Sequence, residues 1–159
     1  MIRKFKLRHR AGERGNAMVE LALGATLLAT VFAGTFQFGF TFYIYNNVET
    51  AVNNGAKYAA LKTYEQTTST PSFCFTTAVQ DMVAYGDPTG TTTNAVAPGL
   101  TPSQVNLTVT FNNGVPSQMQ VSISSYSIDS VFSKTTLTNK PSATYPFLGR
   151  YAPTNTCTQ

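Results

Sequence analysis

From Leu21 to Val48 the chain runs for 28 residues without a charged side chain: LALGATLLATVFAGTFQFGFTFYIYNNV. No other feature restricts the fold as much. As a helix rising ~1.5 Å per residue, the run extends ~42 Å. The hydrocarbon core of a bilayer needs only ~30 Å. Leu21 to Tyr45 is therefore long enough to span a membrane, with Gln37 as its one strongly polar side chain. Phe36, Phe38, Phe40, Phe42, Tyr43 and Tyr45 crowd its second half, the pattern of an aromatic belt at a membrane–water boundary.

Charge is divided sharply on either side of this run. Residues 1–15 hold Arg3, Lys4, Lys6, Arg8, Arg10 and Arg14 against Glu13, a net +5. From Asn16 onward five cations face six acids, a net −1. The pI of about 9.2 thus describes a basic leader, not the body. Positive charge is retained on the cytoplasmic side, so the N-terminus is expected inside and the C-terminal body outside. A basic face for nucleic acid is not expected in the body, whose cations are scattered. A cleaved secretory signal is the main rival reading, with Val31-Phe32-Ala33 as its cut site. Against it, Glu20 sits at the edge of the apolar run, and the run continues well past Ala33.

The single histidine, His9, lies in the leader, so the body has no imidazole for a triad or a metal site. Two cysteines are too few for a four-thiolate zinc centre. Asp81, Asp87 and Asp129 are the only acids beyond residue 65, and Asp87 before Pro88 reads as turn chemistry. Neither an enzyme nor a cofactor is expected.

Glu20 is the oddest residue. One reading makes it an interfacial acid in the first turn of the helix, favoured by the positive helix end. Another starts from Gly15. Cutting after Gly15 creates a new α-amine at Asn16, with a reference pKa of about 7.7–8.0, and leaves Glu20 at position +5. In a low-dielectric bundle, that amine on one subunit pairs with Glu20 of its neighbour and compensates both charges. Ala22, Ala25, Ala29 and Ala33, at intervals of 3, 4 and 4, mark a face of small side chains for close helix packing. Alternatively, they reflect only how common Ala is in membrane helices.

Beyond Tyr45 the pattern becomes amphipathic. Val48, Ala51, Val52, Gly55 and Ala59 share a face, and the helix is expected to run to about Thr63. Gly55 is either a close-packing point for the body or a tolerated helix glycine. TTSTPS (67–72) reads as a linker, and Phe75–Tyr85 as a second helix capped by Thr76 or Thr77, with Ala78, Met82 and Tyr85 on one face. The Thr-, Pro- and Gly-rich loop 87–104 reads as a solvated linker. Val105, Leu107, Val109 and Phe111 alternate as a half-buried strand, Asn112-Asn113-Gly114 signals a turn, and Met119, Val121 and Ile123 resume the alternation. The phase slip before Tyr126 and Ile128 predicts a bulge near Ser124-Ser125. A third strand is expected between Thr135 and Tyr145, confined by Pro141 to an edge or an end. Cys74 and Cys157 are the only thiols. Outside the cytoplasm such a pair forms one disulfide, here tying the C-terminal tail to the second helix. The alternative is two free or intermolecularly bonded cysteines.

GNAMVELALGATLL followed by FQFGFTFYIYNNVETAVNNGAKYAALKT resembles the TadE-like minor pilins, or pseudopilins, of tight-adherence (Flp) pili. Val19-Glu20-Leu21-Ala22-Leu23, Phe38-Gly39 and Gly55-Ala56-Lys57-Tyr58-Ala59-Ala60 carry the likeness, over about residues 14–64. The family often has a proline where Gly24-Ala25-Thr26 stands, and a basic residue where Asn53 stands. The resemblance implies a pilin-like α+β fold: a long N-terminal transmembrane and stem helix (16–63) after a basic leader (1–15), then an extracytoplasmic domain (64–159) with a short helix and a small antiparallel sheet. It implies cleavage between Gly15 and Asn16 by a prepilin peptidase, and assembly through Glu20 with other pilins at an inner-membrane assembly platform. The expected location is the bacterial inner membrane, single-pass in the lipid bilayer, and, for subunits taken up into a pilus, the cell exterior. The rival is a signal-anchored binding or adhesion module with no pilus role.

Overall fold

A computed structural model describes residues 11–130 and 132–154, with side chains from Gly15 onward. Helix α1, Ala11–Leu61, is followed by α2, Phe73–Tyr85, a short 3-10 turn at Pro102–Gln104, and strands β1 (Val105–Asn112), β2 (Val115–Ile123), β3 (Tyr126–Asp129), β4 (Lys134–Leu137) and β5 (Ser142–Pro146). The layout is α+β, with a long apolar N-terminal helix, a second short helix and small antiparallel sheets. The chain divides into two compact units, the first ending at Gly39 and the second beginning at Phe40.

Within the first unit α1 has no buried side chain among the described residues. In the second unit the same helix buries a single face. Ile44, Val48, Ala51, Val52, Ala56, Ala59 and Ala60 are all buried, at the three- and four-residue spacings of one helical stripe. They join Phe75, Val79 and Val83 of α2 and Val105, Val109, Met119, Val121 and Ile123 of the sheet in one core.

Gly55 is a packing point. A Cβ built on it would fall inside the space of the Val83 side chain, so only glycine admits α2 at this distance. The end of α1 is sewn to the C-terminal segment by backbone bonds. The N–H groups of Leu148 and Gly149 both donate to Ala60 O at 2.9 Å, Tyr64 N–H donates to Arg150 O, and Ala152 N–H donates to Tyr64 O. Gly149 passes so close to the Lys62 carbonyl that a side chain there would collide with backbone.

Several expectations need correcting. Helix α2 begins at Phe73, not Phe75, because Ser72 rather than Thr76 or Thr77 is the cap. Its backbone is extended and its hydroxyl accepts the Phe75 N–H at 3.2 Å. The buried stripe is centred on Phe75, Val79 and Val83; Ala78 belongs to it, whereas Met82 and Tyr85 are only half-buried. Gly86 closes the helix in the left-handed region, φ 73°, its N–H donating to Met82 O. Loop 87–104 is exposed only in part, because Ala97 and Leu100 are buried in the core and Val96 N–H donates to Ala84 O.

The β1–β2 hairpin turns on Asn113-Gly114, both at positive φ, which suits the right-handed twist of the flanking strands. The register slips between Thr110 and Phe111, so the irregularity lies inside the hairpin and not at Ser124-Ser125. At Ser124-Ser125 the chain leaves the main sheet, and the new phase at Tyr126 and Ile128 belongs to a separate ribbon. The three-stranded sheet has the order β1-β2-β5, and β3 and β4 form a two-stranded sheet of their own. The third strand expected between Thr135 and Tyr145 is two strands, β4 and β5. Pro141 directly precedes β5, which lies at the sheet edge, where a missing donor is tolerated.

Candidate functional site

In the first unit, Gly15 and Asn16 lie on α1, with Glu20 one turn further along. Residues four apart on a helix are surface neighbours at about 5–6 Å between Cβ atoms. Glu20 is exposed, and among the described residues no cation or hydrogen-bond donor pairs with it. It shares a shallow groove with Ala17, Leu21, Gly24, Ala25 and Leu28.

The alanine stripe is elsewhere. At about 100° per residue, Ala29 and Ala33 each fall within roughly 20° of Ala22, on either side of it, Ala25 lies about 60° from Ala22, and Glu20 is about 160° from Ala22. The structure thus brings only Ala25 of the four alanines to Glu20. The small residues beside the carboxylate are Ala17 and Gly24, which sequence reading passed over as site residues. Counting three and four positions either way from Glu20 would have found them.

The rest of this surface is apolar in all directions. Leu21, Leu23, Leu27, Leu28, Val31, Phe32 and Phe38 each expose 60% or more of their area. The polar residues between them are satisfied internally. The hydroxyls of Thr26, Thr30 and Thr35 donate to the carbonyls of Ala22, Thr26 and Val31 at 2.8, 2.9 and 3.0 Å. A threonine bonded back to its own helix makes no demand on a surrounding apolar medium. The helix is long and apolar enough to cross a membrane, and it is a candidate membrane anchor.

In the second unit the polar chemistry is local and structural. Tyr64 is fully buried, met edge-to-face by Phe75, Phe111 and Phe147, and its hydroxyl donates to Thr68 O at 2.7 Å. Burial, reinforced by Tyr151, pushes its phenol up to about 12. Asp87 gathers the hydroxyls of Thr91 and Thr89 and the N–H groups of Thr89 and Thr92, which hold its carboxyl well below the usual carboxylate range. Nearby Asp81 is raised by desolvation and then by the charge of Asp87. These contacts clasp the start of loop 87–104. Among the described residues no group of three or more His, Cys, Asp or Glu side chains is disposed to hold a metal. Cys74, near the start of α2, does not stand as a free thiol. Cys157 lies outside the described residues, as do Arg3, Lys4, Lys6, Arg8, His9 and Arg10.

The fold and this surface define a class: a small α+β domain carried on a helix whose leading part is a candidate membrane anchor. Residues 15–57 match the family described as TadE-like protein. The matched stretch begins at Gly15 and ends at Lys57, so α2 and all five strands lie outside it. Comparison with curated proteins and comparison with solved structures both return no match.

Proposed function

We propose that this chain is a minor pilin, or pseudopilin, that initiates, caps or regulates assembly of a Tad-type adhesive pilus. It is a structural component rather than an enzyme. A prepilin peptidase cuts after Gly15, the helix stays single-pass in the bacterial inner membrane with its basic end cytoplasmic, and sister pilins meet it side by side at the assembly platform. The observation that carries this reading is the coincidence of three features at one place. The TadE-like match opens at Gly15, Glu20 follows at +5 on an exposed helical groove, and the surrounding surface is apolar in all directions.

The proposed chemistry is charge compensation. The new α-amine at Asn16 and a carboxylate at Glu20 are each costly in a low-dielectric helix bundle when unpaired. Paired between subunits, they offset one another and fix the axial register. Ala17 and Gly24 beside Glu20 leave room for a neighbouring helix, and the opposite alanine face offers a second close approach.

Mass spectrometry of the mature N-terminus tests the reading. A start at Asn16 is expected; a start at Met1 or Gly34 overturns it. The variant Glu20→Leu is expected to be cleaved normally yet to fail in pilus assembly. If Glu20→Leu assembles and functions like the parent, the chain is instead a signal-anchored binding or adhesion module.

A further inference from the structure

The ribbon formed by β3 and β4 is set apart from the main sheet, and its position along α1 is informative. A hydrocarbon core of ~30 Å consumes about 20 helical residues. Counted from Leu21, the first residue after Glu20, these end at Phe40. Phe38, Phe40, Phe42 and Tyr43 surround that point, as an interfacial belt requires. Phe40 and Ile44 also line a cavity of about 440 Å³ together with Ser125 and the whole of β3, Tyr126 to Asp129. Strand β3 therefore lies beside the turn of α1 from Phe40 to Ile44, where the count of about 20 residues puts the headgroup layer.

Its surface suits that depth. Phe132, in the loop between the strands, is 66% exposed, and every described residue from Phe132 to Thr136 is exposed. The only charges between Tyr126 and Leu137 are Asp129 and Lys134, which face each other at 3.1 Å and cancel. Ser127, Ser130, Ser133, Thr135 and Thr136 supply neutral hydroxyls. An exposed aromatic among neutral hydroxyls, with no net charge, matches a zwitterionic headgroup layer.

We infer that the β3–β4 ribbon is a second membrane contact, its Phe132 loop seated in the outer headgroup layer of the bilayer that α1 enters. This deepens the proposed role and rests on α1 being a membrane anchor.

The chain has no tryptophan, so single reporters are unambiguous. Full-length chains carrying Phe132→Trp, Phe42→Trp or Leu148→Trp are reconstituted in phosphatidylcholine vesicles brominated near the headgroup. Leu148 is exposed, and its N–H bonds Ala60 O, about 30 Å further along α1 than Phe40. The expected result is a blue shift and loss of most emission at positions 42 and 132, with emission at 148 unchanged. Thr135→Trp, on the exposed β4, should follow position 132 and guards against a local disturbance at Phe132. Quenching at 42 without quenching at 132 or 135 overturns the ribbon contact and leaves the anchor standing. No quenching at 42 overturns the anchor reading and the ribbon contact with it. Equal quenching at 132 and 148 also overturns the ribbon contact, since the body then lies on the bilayer without preference for this loop.

Discussion

One helix serves two environments. Between Leu21 and Gly39 its apolar residues face all directions and none is buried, whereas between Phe40 and Leu61 one stripe is buried and the opposite side carries Asn54 and Lys57. Propensity does not distinguish the halves, since both are rich in Ala, Val and aromatics. The distribution of polar residues around the axis does. A helix apolar all round needs an apolar surrounding on every side, which under the proposed function lipid or sister helices supply; a helix apolar on one side needs only its own domain.

The sharpest way to break this contrast is to place the same charge in both halves. Val52→Asp puts a carboxylate at a fully buried position in an apolar core, at a cost of several kcal/mol. The body should lose its cooperative thermal transition in detergent. Val31→Asp, at a 60% exposed position, should leave that transition unchanged but oppose membrane insertion by about 2.5–3.5 kcal/mol, read as a shift from the membrane to the soluble fraction. Equal loss of the transition in both variants would mean that the halves are not separate environments.

Glycine substitutions give a smaller and more local contrast. Gly55→Val should cost about 1–3 kcal/mol by overpacking against Val83, and the double variant Gly55→Val/Val83→Ala should recover part of it. At Gly34 an added Cβ meets no atom within 4 Å, and Gly34→Val should leave the melting temperature of the body where it was. Thermal denaturation followed by circular dichroism measures all three.

The smallest effect concerns pH and belongs to the body alone. Folding raises the Tyr64 phenol from 10.0 to about 12, so in that interval the unfolded chain has released a proton that the folded chain retains. Stability is therefore complete below pH 10 and falls as pH rises towards 12. Tyr64→Phe should remove this part of the alkaline loss, at about 0.5–1.5 kcal/mol lower stability at neutral pH from the missing bond to Thr68. Urea titrations at pH 8 and pH 11 separate the two terms. An alkaline slope identical in Tyr64→Phe would assign the loss to other tyrosines.

The features legible in the sequence were those set by local periodicity. The charge-free run, the stripe Val48, Ala51, Val52, Gly55 and Ala59, the alternation through β1 and the Asn113-Gly114 turn all repeat at a helical or strand period, or rely on a single residue's φ. The misread features were those in which two local options were chemically close. Ser72, Thr76 and Thr77 can each cap a helix, and only the position of Phe75 and Val79 against α1 selects Ser72. A phase slip is the same whether a strand bulges or departs to a new sheet. In the candidate site Glu20 stood out because a carboxylate beside lipid-compatible residues is costly. Ala17 and Gly24 did not, because small residues carry no chemical signal until the helical angle puts them beside something.

The sequence by itself determined that α1 is a long helix with an apolar leading part and a one-faced continuation, because hydrophobic periodicity and charge placement act within a few turns of chain. Only the tertiary structure decided that Gly55 admits Val83, that Leu148 and Gly149 close over the end of α1, and that β3 and β4 form a ribbon of their own beside Phe40 and Ile44. Those outcomes depend on which distant segments compete for the same space, and excluded volume between residues far apart in the chain leaves no local pattern to read.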